Sequence, residues 1–196
     1  MNKDQLFDIA DRQQGYFTAM QAQASGIPRS NFHRRLASGE WIREQRGIYR
    51  LARYPVTDRP ELVIYSLWSC DRKGNVQSVW SHETAMDIHD LSDVMPGKMH
   101  MTVPRGFRKG TSIPKVLHLH YDKLDDSDVE LRQGYRVTTP LKTLIDVAEE
   151  GRVSPDLIAQ GLEQAFQRGL ITRRGVTEAP SEQVAPLIRI IDDYKI

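Results

Sequence analysis

The clearest pattern of hydrophobic and polar positions in this chain lies in residues 15–51. Two short amphipathic runs are each closed by a glycine, and two shorter apolar runs joined by a glycine turn follow them. Apolar residues at helical spacing predict helices, whereas two short β-prone runs around a glycine predict a hairpin. Two helices followed by a hairpin predict a winged helix-turn-helix.

The first helix of this pattern has strong start and stop signals. Thr18 can accept a hydrogen bond from the backbone three residues on, where Gln21 can return the bond. Gly26 suits the left-handed position that ends a helix, and Pro28 prevents its continuation. We therefore predict a short helix between the threonine cap and this glycine.

The second helix is predicted to begin near Ser30 and to stop at Gly39. At about 100° per residue, Phe32 and Leu36 fall on one face. A helix of this size fits the DNA major groove, which is about 12 Å wide. The opposite face offers Ser30, Asn31 and Arg34 as candidates for base contacts, with His33 at the flank.

A basic hairpin follows, in which Trp41 and Ile42 begin a strand, Gly47 closes the turn and residues 48–51 return. Residues 29–53 contain seven arginines and two glutamates, a net charge of +5 in a chain whose total is +1. Such an excess favours a polyanion partner, although a solvated surface is the alternative. The expected phosphate contacts are Arg29, Arg35, Arg43, Arg46 and Arg50.

We expect an α+β fold with an N-terminal winged helix-turn-helix followed by a mixed α/β C-terminal domain. A helix capped by Asn2 is predicted to complete the three-helix core. Pro55 and Pro60 bracket a second cap candidate, Asp58, which places the boundary between a DNA-binding domain (1–57) and a C-terminal domain (58–196). In the latter, strands are predicted at 76–80, 98–103, 115–121 and 135–138, and helices at 60–69, 81–91, 140–151, 155–168 and 181–194.

The chain has no apolar run of the roughly 18 to 20 residues that a membrane span needs. Its first residues are polar and acidic, unlike a secretory signal. The sequence therefore predicts a cytoplasmic protein that does not enter membranes.

Several histidines invite a metal-enzyme interpretation, but the spacing does not support it. A zinc-protease helix starting at His82 needs a second histidine where Met86 stands. His118 and His120 share one face of a strand, yet no third ligand has a compelling position. The loop at 106–110 lacks the ending of a phosphate-binding loop. We therefore predict no catalytic residues, no metal, no cofactor and no enzymatic activity.

Two sets of residues carry a resemblance to a known family. The first is in the winged-helix segment: Gly15, Phe17, Thr18, Gln21, Ala22, Gly26, Ile27, Leu36, Gly39 and residues 46–51. The second is outside it: residues 81–85, 91–93, 102–104, 137–140 and 142–144, with His89, Pro96 and Asp146. With both sets, the chain resembles the AbiEi-type antitoxins of type IV toxin-antitoxin systems.

The resemblance implies that the winged helix binds repeats in double-stranded promoter DNA and represses its own operon. It also implies that the C-terminal domain neutralises a nucleotidyltransferase-like toxin, without requiring a stable toxin complex. Two alternatives stay open on the sequence alone. One is a stand-alone winged-helix regulator with a ligand-sensing C-terminal domain, and the other is a nucleic-acid-processing enzyme.

Overall fold

The computed structural model, which describes residues 3–196, divides the chain into two units. Unit 1 contains the described residues up to Ser78 together with Leu131–Arg136. Unit 2 contains Val79–Glu130 and Val137–Ile196. The predicted cap Asn2 lies outside the described residues, and the functional boundary near residue 57 stays a prediction.

Unit 1 contains the winged helix-turn-helix that the sequence predicts. Thr18 forms the expected capping box: Gln21 N donates to Thr18 Oγ1 over 3.1 Å, and Thr18 N donates to Gln21 Oε1 over 2.8 Å. The strands form an antiparallel sheet of order β1-β3-β2. The elements are α1 (Lys3–Asp11), β1 (Tyr16–Thr18), α2 (Ala19–Ala24), α3 (Phe32–Ala37), β2 (Trp41–Gln45), β3 (Ile48–Leu51) and α4 (Pro60–Trp68).

The second helix of the motif differs from its prediction at its start. Arg29–Asn31 form a single 3-10 turn, in which Asn31 N donates to Pro28 O over 2.9 Å. The α-helical geometry begins only at Phe32, and Asn31 makes no side-chain capping hydrogen bond. The predicted start near Ser30 is therefore wrong by two residues, because the chain leaving Pro28 is extended and first closes a tighter turn.

Four aromatic rings hold α3 against the hairpin. The Phe17 and Trp41 ring centroids are 4.7 Å apart in an edge-to-face arrangement, and those of Phe32 and Trp41 are 5.1 Å apart. Tyr49 is the fourth ring, and its centroid lies 5.5 Å from that of Phe32. Such pairs contribute about 0.5–1.5 kcal/mol each beyond their buried area. The position of α3 relative to the hairpin is therefore fixed by the core.

The other face of the three-stranded sheet is also covered. Tyr16 and Ile48 pack there against Val63 and Leu67 of α4. The hairpin residues Leu131–Arg136 belong to the same unit, where Gln133 Nε2 donates to the Asp11 carbonyl over 2.8 Å. Helix α4 therefore extends the winged-helix core.

Unit 2 is a layered arrangement of strands and helices. The strands are β4 (Val79–Trp80), β5 (Met99–Val103), β6 (Leu117–Tyr121), β7 (Val129–Arg132) and β8 (Tyr135–Thr138). Their order in the sheet is β6-β5-β4-β8-β7. The tip of the β7–β8 hairpin belongs to unit 1. Strand β4 is antiparallel to β5 and parallel to β8, and β5 is parallel to β6. Strand β7 was not predicted, because it has only four residues and two of them are charged.

Five helices complete this unit, and Met86, Leu144, Leu162 and Leu187 lie at the centre of its apolar core. The short helix α8 was not predicted; Thr172 caps it by accepting a hydrogen bond from Gly175 N. Within residues 3–196, no helix is both long and apolar enough to cross a membrane. The helices are α5 (His82–Ile88), α6 (Pro140–Glu150), α7 (Pro155–Gln167), α8 (Arg173–Glu178) and α9 (Ser181–Tyr194).

Candidate nucleic-acid interface

The outer side of α3 and of the turn before it carries the predicted base-contact residues. Phe32 is buried beneath the helix and packs on the aromatic core, which fixes the helix rotation. Ser30, His33 and Arg34 are exposed, and Asn31 is half-buried. The structure therefore brings these four side chains together on one short, solvent-accessible segment.

The hairpin presents two more exposed arginines. Arg43 lies opposite Tyr49 in the strand register, on the sheet face that also carries Trp41. Arg46 lies in the turn beside Gly47, whose φ of 81° is in the region that glycine adopts without strain. Both cations are exposed, one on the strand and one at the tip of the wing.

Arg50 has a different environment from the one expected. The residue is only 8% exposed. Its Nε donates to Glu44 Oε1 over 3.0 Å and its Nη1 donates to the Tyr54 carbonyl over 3.2 Å. Its guanidinium is already held by the protein, because a position on the buried face of β3 requires a partner for the charge. The expected phosphate contact of Arg50 is therefore not supported by its geometry.

Arg35 is likewise engaged with the protein. Its Nη1 donates to Glu40 Oε2 over 2.5 Å, and its Cζ lies 5.3 Å from the centroid of the Trp41 ring. A cation over an indole face is attracted by the ring quadrupole. This arginine holds the end of α3 against β2. Its geometry, like that of Arg50, does not support the expected phosphate contact.

These two ion pairs leave the charge excess of the segment unchanged. The segment has two glutamates, and each is paired with one of the two engaged arginines. Sequence reasoning had omitted Arg53 from the site, although it belongs to the same arginine-rich run. Among residues 3–196, no carboxylate forms an ion pair with any of the five exposed arginines that remain: Arg29, Arg34, Arg43, Arg46 and Arg53.

The family-like residues of unit 2 also converge in space. Thr102 Oγ1 donates to Ser81 Oγ over 2.9 Å, and the backbone N of His100 donates to Thr84 Oγ1 over 2.7 Å. Lys142 Nζ donates to Asp146 Oδ1 over 2.5 Å. Residues from 81 to 146 therefore build one polar cluster around β4, β5, α5 and α6.

Histidines lie at the centre of this cluster. The rings of His82 and His120 stack with centroids 3.5 Å apart. Burial, reinforced by neighbouring histidines, lowers the pKa of His82 to about 3 and that of His120 to about 4. Both imidazoles are thus neutral at neutral pH. Glu150, at the end of α6, lies beside them; no spacing in the sequence connects it to these histidines, so sequence reasoning missed it.

The fold and the exposed arginines define a winged helix-turn-helix protein with a second α/β unit. Residues 4–52 match the family described as "Transcriptional regulator, AbiEi antitoxin". Over this segment the chain is similar to AbiEi-type transcriptional regulators, which confirms the resemblance predicted from the sequence.

No curated protein matches the chain. Among solved structures, the RV2827C protein from Mycobacterium tuberculosis is similar, with a TM-score of 0.53 and 13% sequence identity. The match covers 96% of this chain and 70% of that chain. At this identity the likeness shows a shared fold, and it extends over both units.

Proposed function

We propose that this protein is the antitoxin of a type IV toxin-antitoxin system and represses its own operon. Its winged helix binds repeats in the promoter, and its C-terminal part neutralises a nucleotidyltransferase-like toxin. The family match over residues 4–52 supports the regulatory half of this proposal. The role is one of binding, with no reaction catalysed by the chain and no cofactor required for it.

The observation that carries the proposal is the set of five exposed arginines without an ion pair among residues 3–196. Each guanidinium that approaches a phosphate releases condensed counterions, and this release is the main driving force of non-specific DNA binding. Arg29 lies in the turn before α3 and Arg34 lies within α3, whereas Arg43 and Arg46 are on the wing. A duplex that contacts both elements gains several phosphate contacts at once.

The side chains divide into three roles. Ser30, Asn31 and Arg34 read bases, since arginine can bond two acceptors of guanine and asparagine two positions of adenine. His33 lies beside them on the same exposed segment. Arg35 and Arg50 position the helix and the wing from inside the protein. The phosphate contacts are made by Arg29, Arg43, Arg46 and Arg53.

The regulatory half is tested with the full chain and the duplex upstream of its own gene. We expect tighter binding to this duplex than to a shuffled duplex of the same composition. Arg34→Ala should reduce the difference by about 1–3 kcal/mol, because one bidentate base contact is lost. Arg189→Ala, an exposed arginine of α9, is the matched control and should retain the full preference. Equal affinity of the wild type for both duplexes would count against a specific regulator.

The antitoxin half is tested by co-expression with the protein encoded next to this chain. We expect that neighbour to arrest growth alone and the full chain to restore it. A double variant, Arg43→Ala with Arg46→Ala, should lose repression of a promoter reporter yet still restore growth. Failure of the wild-type chain to restore growth against a toxic nucleotidyltransferase-like neighbour would contradict this half alone.

A further inference from the structure

The histidine cluster of unit 2 has the composition of a metal centre. One potential ligand atom from each of His82, His120 and Glu150 lies within 4.8 Å of the other two. His120 Nδ1 is 4.0 Å from Glu150 Oε1. The three residues come from the start of α5, from β6 and from the end of α6. They therefore meet only in the folded unit.

Hydrogen-bond partners leave one nitrogen of each histidine available. His82 Nδ1 lies 2.9 Å from Ser81 Oγ, so the tautomer in which Nδ1 donates to Ser81 has a free lone pair on Nε2. His120 Nε2 lies 3.0 Å from His100 Nδ1, which leaves His120 Nδ1 on the side of Glu150. Metal-binding histidines generally have such a partner on the second nitrogen, because it fixes the ring orientation.

A second carboxylate, Glu83, lies behind the cluster. Glu83 Oε2 is buried and lies 2.8 Å from His100 Nδ1 without the alignment of a hydrogen bond. His100 itself is 5% exposed. A cation bound nearby would add to the stabilisation that the Glu83 carboxylate already receives from His100, because a buried anion needs a compensating charge.

The backbone at His82 is also unusual. Its φ is 52°, in the left-handed region that residues other than glycine seldom adopt. Such a conformation costs on the order of 1–3 kcal/mol and occurs most often at functional sites. His82 is the first residue of α5, and the cap residue before it, Ser81, is extended.

The cluster is accessible from solvent through a cavity of about 370 Å³. His82, His120 and Glu150 all line this cavity. Four carboxylates and two cationic side chains complete the charged lining, and the excess of negative charge favours entry of a cation. The charged lining residues are Arg105, Asp122, Lys142, Asp146, Glu149 and Glu150.

We propose that His82, His120 and Glu150 bind one divalent transition-metal ion of the zinc class. Two imidazoles and one carboxylate form a ligand set used by zinc sites that keep a fourth position open. The cavity leaves room for a water molecule or a partner's side chain at that position. Neutral imidazole ligands also suit Co²⁺ and Ni²⁺, so these ions bind in the same place.

Binding changes the local geometry in a defined way. Metal–ligand bonds of about 2.0–2.2 Å in a tetrahedron place the ligand atoms about 3.3–3.6 Å apart, closer than the 4.0 Å between His120 Nδ1 and Glu150 Oε1. The His82 and His120 rings are nearly parallel, with an angle of 8° between them. Since each nitrogen lone pair lies in its own ring plane, the two rings must tilt apart to share an ion.

Glu150 already has one cationic neighbour. Arg152 Nε lies 3.1 Å from Glu150 Oε1. The arginine side chain is 56% exposed, so it can move into solvent or remain on one oxygen while the other binds the metal. Lys142 lies in the same cavity but is paired with Asp146. Neither cation therefore blocks the site.

The test uses the untagged full chain, stripped of metal with a chelator and titrated with Zn²⁺ by calorimetry. We expect one ion per chain and a higher thermal unfolding midpoint with Zn²⁺, because an ion that binds only the folded state stabilises it. Bound Co²⁺ should show the strong visible absorption of a four- or five-coordinate ion.

Substitutions distinguish Zn²⁺ binding at this site from adventitious Zn²⁺ binding elsewhere on the chain. Loss of an outer partner, as in Ser81→Ala, should weaken Zn²⁺ binding about 10- to 100-fold. Glu150→Gln, which keeps the side-chain shape, and His120→Ala should weaken it by more than about 100-fold, because each removes a direct ligand. The control His33→Ala removes an exposed histidine of unit 1 and should change nothing. Melting curves without metal report whether each variant is folded.

Two results would overturn the proposal. One is Zn²⁺ binding that is as strong in folded Glu150→Gln as in the wild type. The other is a Co²⁺ spectrum that remains that of the hydrated ion. Because these measurements contain no DNA and no toxin, their outcome is independent of the function proposed above.

Discussion

Arg50 on β3 and Glu44 on β2 form an ion pair across the hairpin, with Arg50 Nε 3.0 Å from Glu44 Oε1. The arginines of residues 29–53 therefore have two different environments. Arg35 and Arg50 hold the winged helix together, whereas the exposed arginines carry the net positive charge toward solvent. The exposed set defines the DNA-binding surface in this account.

The first prediction follows from the burial of Arg50 in that pair. Arg50→Ala should lower the free energy of unfolding by about 3 kcal/mol, because it leaves the Glu44 carboxylate and the Tyr54 carbonyl without their donor. Arg46→Ala, an exposed position in the same hairpin, should change it by less than about 0.5 kcal/mol. Urea unfolding followed by tryptophan fluorescence measures both. Similar small losses in the two variants would show that the pair is not structural.

The second prediction concerns the glycine before β1. Gly15 has φ of 86°, and a Cβ added there would lie 2.5 Å from Tyr54 Cγ. Gly39 has φ of 71° but no atom within 4 Å of an added Cβ. Gly39→Ala should therefore cost only the left-handed backbone strain, about 1–2 kcal/mol. Gly15→Ala should cost about 1–3 kcal/mol more, because the tyrosine ring must move.

Thermal unfolding of the two alanine variants checks this difference. Tyr54 is held by a hydrogen bond from its hydroxyl to Asp11 Oδ1 over 3.0 Å, so its ring cannot move without loss of that bond. Equal destabilisation by the two substitutions would mean that the Tyr54 ring can be displaced without a measurable cost in stability.

The third prediction concerns pH and Asp71, in the turn after α4. Backbone hydrogen bonds from Asn75 and Lys73 hold the pKa of the Asp71 carboxyl below its usual value of 3.8. A depressed pKa means that its contribution to stability is complete above about pH 4 and disappears as the pH falls through the folded-state pKa. The stability difference between wild type and Asp71→Ala should therefore shrink at low pH.

Asp71→Asn provides the control for this effect. The amide oxygen can still accept the two backbone hydrogen bonds but does not titrate. The urea midpoint of the wild type should therefore fall relative to that of Asp71→Asn between about pH 4 and pH 2.5. A constant difference between these two proteins over this range would exclude the carboxylate as the cause.

Local signals in the sequence were enough to predict the winged helix. The Thr18 capping box and the positive φ of Gly26 and Gly47 depend on residues only a few positions apart. Strand β1 was missed because it has only three residues and forms only by pairing with β3. The ion pairs of Arg35 and Arg50 were missed because a count of charges does not show which side chains meet in the folded hairpin and at the end of α3.

The histidine cluster shows a different limit of the sequence. His118 and His120 were recognised as sharing a strand face, and the missing third ligand argued against a metal. In the structure His120 meets His82 and Glu150 from two other elements, while His118 stacks on His100. Such a meeting depends on the packing of α5 and α6 against the sheet, which no local pattern contains.

The central claim is that the exposed arginines of the winged helix contact the DNA backbone. The most direct test is the salt dependence of DNA binding by full-length wild type, Arg46→Ala and the control Arg189→Ala. Each phosphate contact contributes about 0.9 to the slope of log affinity against log salt. We predict that Arg46→Ala lowers the slope by about one contact and that Arg189→Ala leaves it unchanged. Binding that is insensitive to salt, or an equal slope in all three proteins, would contradict the claim.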